Sequence, residues 1–141
     1  AVKKGDVDAG LVIHETQLSY SQEGIIKVLD LGEWWNETTN GLPVPLGINV
    51  MKDNSGIDTI RKFDKFLQNS IQFGLEHTND AIDYALKYGR GKPRDLIEKF
   101  VKMYVNDITV NMGIDGEKSI RKIFDMARER NLVPEFELKI A

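Results

Sequence analysis

Residues 8–20 read "DAGLVIHETQLSY". Leu11, Val12 and Ile13 climb to His14, and the character then changes at once to Glu15, Thr16 and Gln17. Three successive apolar positions are the pattern of a strand covered on both faces, as in a parallel sheet. The segment "VDAGLVI", residues 7–13, is therefore expected to be a buried strand, and the chain an α/β protein. "LGINVM", residues 46–51, is expected to be a second buried strand. Gly47 inside it signals close backbone approach by a ligand or another strand. Two short strands do not make a stable sheet. Their neighbours must come from residues read as loop or from a missing N-terminal portion.

Between these segments, "TQLSYSQEG" opens as a helix that Gly24 interrupts, and "IIKVLDL" is open between strand and buried turn. In "GEWWNETTNGLPVPLG" the adjacent Trp34 and Trp35 can face opposite sides, one into a core and one toward a cleft or solvent. "TNG" is a turn signal, and Pro43 and Pro45 hold the chain extended.

From residue 57 the periodicity turns helical. Ile60, Phe63, Leu67 and Ile71 share one helical face. Thr78 is placed to cap a shorter helix that stops at Gly89. Pro93 suits the first turn of the next helix, whose inward face is Leu96, Phe100, Met103 and Tyr104. Asp115 is placed to cap the last helix, with Ile120, Ile123, Phe124 and Ala127 inward and "NLVP" closing it. At the other end, Ala1–Lys4 read as a helix's final turn stopped by Gly5, the look of a piece of something longer.

Composition narrows the function. Of 141 residues, 41% are hydrophobic, enough for a core, and the net charge is -3 without a basic stripe or acidic tail. No nucleic-acid partner and no membrane partner are expected. There is no cysteine, which excludes disulfides, zinc thiolate sites and a Cys nucleophile. A cytoplasmic location is the default.

His14 is the leading candidate for chemistry. In open α/β sheets ligands bind beyond the carboxyl ends of strands, and an imidazole there is a usable base near neutral pH. A histidine that closes a strand and bonds only backbone fits the same position. Glu15 orients His14 or faces water. His77, near a helix end in "LEHTND", reads as structural. "LPVPLG" is a cleft wall or a plain crossing strand. "KYGRGKP", residues 87–93, lacks the preceding strand and the ending of a phosphate loop, so it reads as a solvated connection. No metal-ligand spacing is present, and neither metal nor cofactor is expected.

"GDVDAGLVIHETQLSY", "KVLDLGEWWNETTNGLPVPLGINV" and "YVNDITVNMGIDGEKSIRKIFDMARERNLVPEF" together resemble the 1,4-dihydroxy-6-naphthoate synthase family of the futalosine route to menaquinone. The resemblance implies a two-lobed fold like type II periplasmic binding proteins, with the active site between the lobes. It implies a lyase-type reaction in which cyclic dehypoxanthinylfutalosine releases 1,4-dihydroxy-6-naphthoate. By the same likeness His14 is the general base, and Ile13, Pro45, Leu46 and Gly47 line the substrate pocket. Family members are about twice as long, so the chain is expected to be the C-terminal, helix-rich half. Residues 1–45 then belong to the second lobe and 46–141 return to the first. The missing N-terminal half, or a separate chain, is the expected partner besides a small-molecule substrate, and the 141 residues alone are expected to be inactive.

Another reading gives the same fold a different task, a non-catalytic lobe that captures a small aromatic carboxylate. A helical interaction domain is the reading to favour should the early strands prove false.

Overall fold

A computed structural model describes residues 1–140, apart from the side chains of His14 and Glu15. Regular structure among the described residues is helical. The chain opens with a 3-10 turn at Val2–Lys4, ended by Gly5 in the left-handed conformation (φ 72°). Further 3-10 turns follow at His14–Leu18 and Tyr20–Glu23. Helix α1 spans Leu31–Thr39, α2 Ile57–Glu76, α3 Thr78–Leu86, α4 Arg94–Tyr104, α5 Asp107–Val110 and α6 Gly113–Glu129.

The expected strands at 7–13 and 46–51 are corrected: both stretches are irregular, and no strand occurs among the described residues. A strand exists only through a partner on its backbone. Neither stretch has one, and Val7, Leu11, Ile13, Leu46, Ile48 and Val50 are all exposed. The helix-rich portion of the expected fold is present. The apolar content of the early segments faces outward.

The helices form where apolar spacing placed them, with local differences. On α2, Ile60, Leu67 and Ile71 are half-buried, but Phe63 is exposed and shares the outer face with Phe66 and Phe73. On α4 the buried position is Ile97, with Leu96, Phe100 and Tyr104 half-buried and Met103 exposed. Thr78 does not cap α3, because its hydroxyl donates back to the Leu75 carbonyl at 2.6 Å. Asp115 lies in the first turn of α6, where it pairs with Lys118, and Asn111 accepts from the Gly113 N–H instead. Asn131, left-handed at φ 55°, ends that helix near the expected "NLVP".

Helix α1 was not legible as a helix. Asp30 caps it by accepting from the N–H groups of Gly32 and Glu33 at 2.9 and 3.2 Å. Asn40 (φ 58°) and Gly41 (φ 101°) carry the chain out through the expected turn. The tryptophans divide as their adjacency suggested: Trp35 is buried and Trp34 exposed.

Helix α3 packs on α4 and α2, and α5 packs on α2. Trp35, Ile82, Ile97 and Ile120 are the buried apolar side chains. Ile97 enters because residue 89 has no side chain. A Cβ at Gly89 would lie 2.9 Å from Ile97 Cδ1.

Candidate functional site

The turn His14–Leu18 hangs from the end of the apolar segment. Ile13, in extended conformation (φ -127°, ψ 176°), precedes it. The turn packs on α4. Gln17 Nε2 donates to the Tyr104 hydroxyl at 2.7 Å, a bond that spans 87 positions of sequence. The side chain of His14 lies outside the described residues, as does that of Glu15. Ile13 is exposed.

Beyond the turn, Ser19 is buried and its hydroxyl has no hydrogen-bond partner among the described residues.

The second candidate stretch is held differently. Trp35 Nε1 donates to Ser119 Oγ at 3.0 Å and to the Pro43 carbonyl at 3.2 Å. Ser119 Oγ in turn donates to the same carbonyl at 2.5 Å. This closed set satisfies a buried indole and a buried hydroxyl, and it fixes the chain at Pro43, just before Pro45, Leu46 and Gly47. Pro45 is half-buried, and Leu46 and Gly47 are exposed. Within the described chain, no atom comes within 4 Å of where a Gly47 Cβ would sit.

The turn bearing His14 is thus moored to α4, and the Pro45–Gly47 stretch to α6. No hydrogen bond or ion pair among the described residues joins the two. Two shallow hollows lie elsewhere. One runs along α4 past Asp95, Glu98 and Lys102, and the other lies between α6 and Phe136–Leu138.

Two residues gained roles that residue reading did not assign. Tyr104, in the "YVN" stretch, takes the hydrogen bond from the His14 turn. Asn106, in the same stretch, caps α5 by accepting from the Ile108 N–H at 3.0 Å, while Thr109 Oγ1 accepts from the Asn106 N–H at 3.2 Å. His77, read as structural, stacks its ring on Phe73 with centroids 4.0 Å apart, and its Nδ1 lies 2.9 Å from the Phe73 carbonyl. No helix of the described residues is long and apolar enough to cross a membrane.

Electrostatics concentrate at the start of α1. The Glu33 N–H, then that of Gly32 and the Lys27 ammonium, hold the Asp30 carboxyl below the ordinary aspartate range. Glu33 and then Asp30 raise Lys27 in return.

Comparison with known proteins places this arrangement in a family. A 1,4-dihydroxy-6-naphthoate synthase from Thermus thermophilus is 36% identical over 131 residues, covering 93% of this chain and 48% of that protein. A second from Streptomyces coelicolor is 32% identical over 134 residues, covering 95% and 47%. A crystal structure of protein AF1704 from Archaeoglobus fulgidus superposes with a TM-score of 0.85 at 39% identity, covering 92% of this chain and 49% of that one. The chain spans about half the length of the curated relatives it matches. The family model described as menaquinone biosynthesis matches residues 1–129. By that match the chain belongs to the menaquinone-biosynthesis family.

Proposed function

We propose that this chain is the C-terminal, His-bearing half of a 1,4-dihydroxy-6-naphthoate synthase, acting in the cytoplasm. The observation that carries the reading is the 36% identity to a protein of that name across 93% of the chain. Its substrate is then cyclic dehypoxanthinylfutalosine, cleaved without metal or redox cofactor in a lyase-type step. The site lies between two lobes, with residues 1–45 in one and 46–141 mostly in the other.

His14 is the general base. It takes a proton from the bound substrate so that the electron pair left behind can drive bond cleavage. Ile13, Pro45, Leu46 and Gly47 supply the apolar wall. The Gln17–Tyr104 bond supports this role by tying down the turn on which His14 stands. The 141 residues alone are inactive, because the walls facing His14 belong to the other half.

The absence of strands among the described residues is the condition that favours a helical interaction domain. The family match over residues 1–129 outweighs it.

The test is His14→Ala in the protein joined by its other half. Release of 1,4-dihydroxy-6-naphthoate is expected to fall roughly 10²- to 10⁴-fold, with circular dichroism and ligand affinity unchanged. Near-normal turnover removes His14 from the mechanism. A wild-type assembly that binds the substrate or an aromatic carboxylate and never turns over replaces the enzyme with the binding lobe.

A further inference from the structure

The segment that carries Pro45, Leu46 and Gly47 is fixed at its two ends. Between them, residues 44–51 enter no backbone–backbone hydrogen bond among the described residues. At the near end, the Pro43 carbonyl accepts from Ser119 Oγ of α6 at 2.5 Å. At the far end the chain tightens into a 3-10 turn at Asp53–Ser55, which leads through Gly56 into α2. There Lys139 Nζ donates to the Asp53 carboxylate at 2.9 Å, across 86 positions of sequence.

Lys139 reaches that point because the chain reverses at the end of α6. Asn131 is left-handed there (φ 55°). Its N–H donates to the Arg128 carbonyl and that of Leu132 to the Ala127 carbonyl, both at 2.9 Å. This paired closure satisfies the last carbonyls of the helix and turns the chain back. Phe136 then stands edge-on to Phe124 of α6, with ring centroids 5.0 Å apart and planes at 87°. The Arg128 guanidinium lies 5.8 Å from the centre of the Phe136 ring and pairs with Asp125 and Glu135. An edge-on aromatic pair and a cation over a ring are both attractive beyond the area they bury.

The tail of α6 thus ties the far end of a segment whose near end is bonded to α6 itself. An exposed ion pair is weak alone. Here the docked Phe136 holds Lys139 beside Asp53 at high effective concentration, so closing the pair orders little more. The tail lies past residues 1–129, where the family model matches, so family membership assigns it no role.

We propose that residues 131–140 are a clasp, in which Phe136 and Lys139 are positioning residues that hold the far end of the segment and so set the wall formed by Pro45, Leu46 and Gly47. This inference deepens the proposed function and rests on it, since the wall is that of the same site. A loosened wall weakens ground-state and transition-state binding alike, so affinity falls and turnover at saturation holds.

The chain has no cysteine, so spin labels at Asn54→Cys and Glu137→Cys read the clasp without background. One narrow distance is expected. Lys139→Glu, Asp53→Lys and Phe136→Ala should each broaden it, and the swapped pair Asp53→Lys with Lys139→Asp should restore it. In the protein joined by its other half, each single variant is expected to raise the Kd for 1,4-dihydroxy-6-naphthoate roughly 3- to 10-fold, with kcat within about 2-fold of wild type. The swap should recover both distance and affinity. A broad distance in the wild type, a narrow one in Lys139→Glu, an unchanged Kd, or a swap that restores neither would each overturn the proposal. The Kd is read without turnover, so the two readings fail separately. An assembly that binds the naphthoate through the clasp and never turns over overturns the enzyme assignment alone. An active one indifferent to all the variants overturns the clasp alone, and one that binds no naphthoate overturns both.

Discussion

The indole N–H of Trp35 donates to Ser119 Oγ across 84 positions of sequence, and both side chains are at most 2% exposed. Through the Pro43 carbonyl that both address, α1, the crossing segment and α6 are joined at one point. Ser119→Ala removes one acceptor from the indole and one donor from the carbonyl. A loss of about 1–3 kcal/mol is expected, read as a lower urea midpoint. Trp35→Phe should cost at least as much, because it also leaves the Ser119 hydroxyl short of a donor and opens space in a packed site.

Asp30 makes α1 sensitive to acid. Its folded pKa lies below the unfolded value, chiefly through the Glu33 N–H. The stabilisation is complete above the ordinary aspartate pKa of about 4 and is lost as pH falls through the lower, folded value. Asp30→Asn keeps an acceptor at the cap and should flatten that dependence. Asp30→Ala should cost about 1 kcal/mol at neutral pH. Denaturation midpoints from pH 2 to 7 separate the three proteins.

Gly116 is buried in α6, and a Cβ there would stand 2.6 Å from Met112 Cβ. That neighbour is the root of a side chain and cannot swing away. Gly116→Ala would ordinarily favour a helix. Here it is expected to destabilise by roughly 1–3 kcal/mol. A thermal midpoint equal to or above that of the wild type would show that α6 begins differently.

Tyr104→Phe leaves Gln17 without its acceptor. The expected result is faster amide exchange across residues 16–18, with stability lower by about 1 kcal/mol. Under the proposed assignment of His14 as base, turnover of the protein joined by its other half should fall while substrate affinity holds, since the change loosens the turn that carries His14.

Spacing alone foretold the long helices. Ile60, Leu67 and Ile71 on α2, and Ile120 on α6, recur at helical intervals and point inward. Helix α1 escaped because nine residues with two tryptophans and two threonines carry little propensity. The Asp30 and Glu33 pair at its start was the available signal. The strands failed for another reason. Continuous apolar residues state that both faces want cover, but not what covers them, and among the described residues nothing pairs with their backbone. His14 and its neighbours became candidates through the apolar run before the histidine and through family likeness. The Trp35–Ser119–Pro43 set and the Gln17–Tyr104 bond were not, because contacts across 76 to 87 positions leave no local trace.

The two tryptophan rings of α1 lie 6.1 Å apart, one sealed in the interior and one open to water. They are also the chain's whole complement of indole. Excited beyond the absorption of its four tyrosines, its fluorescence therefore comes from a blue-emitting interior indole and a red-emitting surface indole. Light of two colours can thus tell unfolding, which moves the first, from a surface event at α1, which moves the second alone.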